Sequence, residues 1–169
     1  DGLYSDFFIV TAVTDPDAGA RGISTFILDK GVPGFTIGRD QPMMGLSGTS
    51  HVEMRFDDVV LDAGRLLGPQ GQGLKLALAT LGRVRLAQVS ARAVGKASMI
   101  LDSCLSYARD RRQFGSAIGE FQLVQQMLAD SAMEINGCRL ALWQTASRID
   151  SGDEARGAIS MLKVQASEM

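Results

Sequence analysis

Two different hydrophobic periods divide this chain. Before about residue 64, apolar and β-branched residues come in short runs or alternate; from Leu74 onward they recur at three- and four-residue steps. FFIVTAV (7–13) is a continuous apolar run, which predicts a strand buried on both faces. TDPDAGARG (14–22) reads as a turn-rich loop and STFILD (24–29) as a second strand. GVPGFTIG (31–38) carries Gly and Pro punctuation around a short third strand. In HVEMRFDDVVL (51–61), Val52, Met54 and Phe56 alternate with His51, Glu53, Arg55 and Asp57, predicting one buried and one wet face. Together these runs predict a segment of an antiparallel sandwich or barrel.

LDAGRLLGPQGQG (61–73) is a Gly-rich joint, read here as a flexible hinge between domains. It lacks the Gly-Lys-Ser/Thr ending of a phosphate-binding P-loop. Leu74, Leu78, Leu81, Val84, Ala87, Ala91, Val94, Leu101, Leu105 and Ala108 then mark the inner face of one long helix. At 1.5 Å per residue it would run on the order of 50 Å. Val124, Met127, Leu128, Ser131, Ile135, Cys138, Leu142, Thr145 and Ile149 mark a second helix, which ends at Asp150-Ser151-Gly152-Asp153. A third begins near Glu154. Long helices joined by short connections predict an antiparallel bundle. The expected fold class is α+β: the remainder of an antiparallel β domain over residues 1–64, then part of a helical bundle over 65–169.

Composition changes this picture little. The 169 residues are 46% hydrophobic and 21% charged with a formal net charge of −2, ordinary values for a globular protein. They give no reason to expect nucleic acid or a membrane as partner. Cys104 and Cys138 fall in helical stretches, which predicts reduced, buried small hydrophobes and no disulfide framework or metal site. Asp1-Gly2 reads as a turn following an earlier strand, and the last helix has no stop signal, so an internal part of a longer protein is expected.

Charge patterning is more informative. Arg65, Lys75, Arg83, Arg85, Arg92 and Lys96 fall within residues 63–101, which contain no acidic residue. A helix surface with cations and no anions lacks the usual i,i+4 pairing and favours a polyanionic ligand or an acidic partner. RDRRQFGSAIGEFQ (109–122) sets Arg109, Arg111 and Arg112 beside Phe-Gly and Phe-Gln pairs, at the join of two helices. Such arginines complement a helix C-terminus, and they equally suit a bidentate phosphate ligand. His51, the single histidine, has no evident nucleophile partner. Trp143 and the methionines of the second helix read as core or subunit interface.

The chain resembles the acyl-CoA dehydrogenase family along essentially its whole length. The resemblance is carried by GISTFILDKGVPGF (22–35), GLSGTSHVEMRFDDVVL (45–61), LLGPQGQGLKLALATLGRVR (66–85) and YARDRRQFGSAIGEFQLVQQMLAD (107–130). The last is the most specific, with Arg-x-Gln-Phe-Gly followed by Phe121-Gln122. It implies an FAD-dependent enzyme that oxidises an acyl-CoA thioester at its α,β bond. By position, Arg111 matches an arginine reaching the pyrophosphate of a neighbouring subunit's FAD. Arg112, Gln113, Phe114 and Ile118 match residues of that same site, and Phe121 and Gln122 match its nucleotide end. Gly82, Arg83, Val84 and Arg85 match the border of the acyl-CoA pocket. The resemblance further implies an electron-transferring flavoprotein as acceptor, a homodimer or homotetramer, and a cytoplasmic or mitochondrial-matrix location.

Some features depart from the family pattern. The region between Arg85 and Gly95 is one residue longer, and Leu61-Asp62-Ala63-Gly64 replaces Val-Pro-x-Glu. No carboxylate within 63–101 can serve as the catalytic base, which is therefore expected beyond Met169, leaving these residues inactive alone. Two alternatives stay open: a flavin oxidase or monooxygenase on the same fold, and a non-catalytic paralogue serving in assembly.

Overall fold

The computed structural model describes residues 1–45 and 47–169, with side chains at all of these except 84–86. They form two compact units, Asp1–Leu78 and Ala79–Met169.

The first unit is built from two antiparallel strand pairs. β1 (Phe7–Val13) pairs with β2 (Ile23–Asp29), running Phe7 opposite Asp29 to Val13 opposite Ile23. A 3-10 turn over Pro16–Gly22 connects them, started by Asp15, whose side chain accepts from the Asp17 N–H. β3 (Phe35–Asp40) pairs with β4 (Val52–Phe56), with an irregularity in register between Ile37 and Asp40. The core is Phe8, Leu28 and Phe35, flanked by Val10, Val32, Ile37, Val59 and Leu61. Phe35 meets Phe8 edge-on at 5.1 Å and stacks on Phe56 at 5.3 Å.

Two expectations of burial need correction here. β1 is not buried on both faces: Phe8 is buried, while Phe7, Ile9 and Val13 are exposed. On β4, Val52 is half-buried, but Met54 and Phe56 are exposed. A two-stranded pair buries one face only when another layer lies over it. Within the unit that layer reaches Phe8 and Phe35, not the remaining side chains.

The Gly-rich joint is fastened rather than loose. The Leu67 N–H donates to the Thr25 carbonyl at 2.8 Å, and the Gly71 N–H donates to Ser24 Oγ at 2.9 Å. Arg65 pairs with Asp29. Glycine makes this possible: a Cβ on Gly71 would stand 2.3 Å from the Arg21 carbonyl oxygen, and one on Gly73 2.5 Å from the Ser24 backbone.

The predicted single long helix is three pieces: α1 (Gly73–Thr80), a π turn at Leu81–Arg85, and α2 (Leu86–Asp110). In the π turn the ladder widens to i→i+5, an arrangement that is rare and concentrates at functional sites. Gly82, which lacks a Cβ and has open space around it, lies within the turn. α3 (Gln122–Asp150) and α4 (Arg156–Glu168) complete the second unit. Its core joins Val94 of α2, Ile135 and Cys138 of α3, and Leu162 and Ala166 of α4. Arg139 Nη2 donates to Ser98 Oγ at 2.7 Å, adding a polar tie between α3 and α2.

Other expectations shift in detail. Cys138 is buried, but Cys104 is exposed. Trp143, Met127 and Met133 are exposed, so they are not core of this unit. α4 starts at Arg156, two residues later than expected, because Ala155 takes a left-handed conformation (φ 48°) with its N–H bonded to Asp153 Oδ1 at 2.9 Å. Among the described residues no helix is long and apolar enough to cross a membrane, and no cluster of His, Cys, Asp or Glu could hold a metal ion.

Candidate functional site

The stretch between α2 and α3 is a small hairpin, not an irregular loop. Arg111 anchors it: its N–H donates to the Tyr107 carbonyl, and its own carbonyl accepts from the Ile118 N–H, both at 2.8 Å. β5 (Arg112–Gln113) pairs with β6 (Ser116–Ala117), Arg112 opposite Ala117 and Gln113 opposite Ser116. Phe114 and Gly115 form the two-residue tip, both with positive φ (52° and 90°). Two positive-φ residues suit the right-handed twist of the flanking strands, which is why Asn-Gly or Asp-Gly is usual there.

Phenylalanine is a costly choice at such a position. A bulky side chain in the left-handed region carries strain on the order of 1–3 kcal/mol. Packing within the chain does not offset it, because Phe114 is 96% exposed. Its ring meets Phe121 edge-on, with centroids 6.4 Å apart and planes at 69°. Below the tip the base is firm. Gly119 presses on Ala108, where a Cβ would lie 3.0 Å from the carbonyl oxygen, and Gln125 Nε2 donates to the Gly119 carbonyl at 2.9 Å.

Arg111, Arg112, Gln113 and Gln122 are exposed around this tip, and Ile118 and Phe121 are half-buried. Among the described residues no carboxylate lies within ion-pair distance of either arginine. Two unpaired guanidinium groups, exposed aromatic rings and two amides make a donor set suited to a diphosphate joined to a planar base. A dinucleotide such as FAD fits these residues.

The second group sits at the opposite end of α2, on the order of 37 Å away along the 25-residue helix. Gly82 is half-buried and Arg83 exposed in the π turn; the side chains of Val84 and Arg85 lie outside the described ones. The structure therefore does not bring the two groups together within one chain. The α3–α4 corner, which the sequence did not mark as functional, holds a fixed carboxylate. There Arg148 Nε donates to Asp153 Oδ2 at 2.8 Å. The Ala155 N–H and the Arg148 guanidinium hold the Asp153 carboxyl below its ordinary value of 3.8, and the Arg83 charge adds to this. Burial pushes the Cys138 thiol up, away from nucleophilic chemistry. His51 is exposed, and its backbone N–H donates to Asp40 Oδ1 at 2.8 Å.

A β unit followed by helices that carry an anion-ready hairpin defines the two-domain core of a flavoenzyme fold. The chain belongs to the acyl-CoA dehydrogenase family: residues 1–59 match the acyl-CoA dehydrogenase middle domain and residues 71–169 its C-terminal domain. It is 42% identical over 160 residues to a Mycobacterium tuberculosis protein named "Probable acyl-CoA dehydrogenase FadE25", covering 95% of this chain and 41% of that one. Butyryl-CoA dehydrogenase from Megasphaera elsdenii superposes with a TM-score of 0.92 at 35% identity, covering 99% of this chain and 43% of that one. PigA with FAD and proline superposes with a TM-score of 0.92 at 34% identity, covering 98% and 43%. The chain thus spans about two-fifths of the length of the relatives it matches.

Proposed function

We propose that this chain is part of an FAD-dependent acyl-CoA dehydrogenase that introduces the α,β double bond of an enoyl-CoA. The observation that carries this reading is Phe114, held strained and exposed beside two unpaired arginines at the tip of a rigid hairpin. Strain unsupported by intrachain packing favours a role in binding. The fit of this donor set to FAD agrees with the family membership and with the FAD of the PigA structure.

In this reading Arg111 and Arg112 offset the charge of the pyrophosphate, which is the bidentate recognition guanidinium favours. Phe114 and Phe121 offer faces for the adenine, Gln113 and Gln122 bond polar edges, and Ile118 supplies apolar contact. The site lies far along α2 from the substrate group, which accords with a flavin borne by a neighbouring subunit in a homodimer or homotetramer. At the other end of α2, Gly82, Arg83, Val84 and Arg85 border the acyl-CoA, whose phosphates explain the acid-free stretch 63–101. Bound FAD supplies the hydride acceptor. The α-proton goes to a carboxylate outside these 169 residues, so they are inactive alone. Electrons pass on to an electron-transferring flavoprotein, in the cytoplasm or mitochondrial matrix.

The test is anaerobic addition of an acyl-CoA to the intact flavoprotein. Bleaching of the flavin absorbance, with dye reduction and no peroxide, is expected. The likeness to a solved structure of the prolyl acyl carrier protein oxidase AnaB favours one second reading, a flavin oxidase of the same fold; peroxide release would select it. A protein that retains FAD but does not bleach with any acyl-CoA would overturn the substrate assignment.

A further inference from the structure

The hairpin returns to α3 through a 3-10 turn over Ile118–Glu120, and Phe121 separates the two in an extended conformation (φ −81°, ψ 130°). The turn is therefore not continuous with the α3 ladder, and helix hydrogen bonds do not set its orientation. Neither the turn nor α3 begins with a side-chain cap. The join is made instead by a side chain from within α3.

Gln125 Nε2 donates to the Gly119 carbonyl at 2.9 Å, reaching back six residues. A carbonyl oxygen only accepts, so the side-chain amide must present its NH2 to the turn. The Gln125 backbone N–H donates to the Phe121 carbonyl at 3.0 Å, so one residue grips both sides of the break. On its other side Gly119 lies against α2: a Cβ there would stand 3.0 Å from the carbonyl oxygen of Ala108, which is itself buried. The Ile118 N–H donates to the Arg111 carbonyl at 2.8 Å, and the Phe121 N–H to the Ile118 carbonyl at 3.2 Å. Short contacts thus run from Gln125 through the turn to Arg111, with Phe121 and Gln122 directly after the turn.

We propose that Gln125 is a positioning residue for the FAD site: its side-chain amide holds the 3-10 turn against α2 and so keeps Phe121 and Gln122 in place beside Arg111 and Phe114. The proposal rests on the FAD reading given above. Gln125 touches no part of the dinucleotide; it acts through Gly119. Without the clasp the turn pivots at Phe121, a smaller share of molecules has the site assembled, and apparent affinity falls in proportion.

The experiment uses the intact flavoprotein, its apoprotein and three variants: Gln125→Met, Gln125→Lys and Arg111→Ala. Methionine keeps the side chain's length without a donor, whereas lysine keeps a donor of similar reach. Amide hydrogen exchange over 117–122 is measured first, in the apoprotein. It should quicken in Gln125→Met and return toward the parent in Gln125→Lys, while the core around Val94 and Cys138 keeps its protection. Titrated with FAD, Gln125→Met should bind about fivefold more weakly, the net worth of one hydrogen bond. The acyl-CoA KM at saturating FAD should move less than about twofold, because Gly82–Arg85 stand at the other end of α2. Unchanged exchange over 117–122 in Gln125→Met would overturn the proposal. Quickened exchange with unaltered FAD affinity would do the same, and so would a KM that rises as far as FAD affinity falls. FAD affinity unaltered in Arg111→Ala would instead sink the FAD reading, and the exchange measurement would still decide whether Gln125 holds the turn.

Discussion

Phe114 and Phe121 meet edge-on beside the α2–α3 hairpin, their centroids 6.4 Å apart. One ring stands on a left-handed residue at the tip, and the other directly precedes α3. The pair keeps two aromatic surfaces at one corner without burying the outer one.

Phe114→Gly separates the cost of that arrangement from its use. Glycine occupies positive φ freely, so the variant should gain about 1 kcal/mol of stability. FAD should at the same time dissociate more readily. Thermal melts of the apoprotein and flavin retention on dialysis check the two halves. A variant that loses stability would show that Phe114 is not strained.

Arg111→Ala removes a guanidinium that has no intrachain acid, so folding should be almost untouched. FAD affinity should fall about tenfold, the scale of one charge-assisted contact. Equilibrium titration of the apoprotein with FAD measures it. Unchanged affinity would remove Arg111 from the site.

Leu162→Ala tests the helical core. Leu162 is fully buried against α2 and α3. Truncation should cost about 3 kcal/mol through lost burial and an unfilled cavity. Urea unfolding reads this directly, and a cost below about 1 kcal/mol would mean that α4 is not packed as described.

Acid sensitivity should trace partly to Asp153. Its folded carboxyl titrates below its ordinary value of 3.8 because the Ala155 N–H and Arg148 favour the ionised form. Unfolded chains then bind the proton more readily, so the stabilisation is full above the unfolded value and lost as pH falls through the folded one. Asp153→Asn should flatten the stability profile on that acid side. Its deficit relative to the parent should be largest near neutrality and shrink toward the lowest pH. A parallel offset at all pH values would contradict this.

Much of the helical unit was legible in the sequence, because Ile135, Cys138 and Thr145 repeat at helical spacing and are the residues α3 buries. The π turn was not. Leu81, Val84 and Ala87 keep a three-residue step straight through it, so the apolar pattern gives no sign that the ladder widens. On β4 the alternation is real, since Met54 lies opposite Ile37 and Phe56 opposite Phe35. Whether such a face is covered depends on other layers, which a strand's own pattern does not encode. The hairpin residues stand out by composition alone. The left-handed state of Phe114 does not, because a Phe-Gly pair leads one to assign the positive φ to glycine alone. The corner at Asp153 reads as a helix stop, and only its hydrogen bonds reveal a carboxylate fixed by Arg148 and the Ala155 N–H.

The single indole of the chain lies on the outer side of α3, and Trp143 is 62% exposed. The protein therefore carries its own optical gauge. Its emission should be that of a largely hydrated tryptophan while the surface is open, and should move to shorter wavelength once another polypeptide covers α3. Dilution series followed by intrinsic fluorescence can thus report association with no label attached.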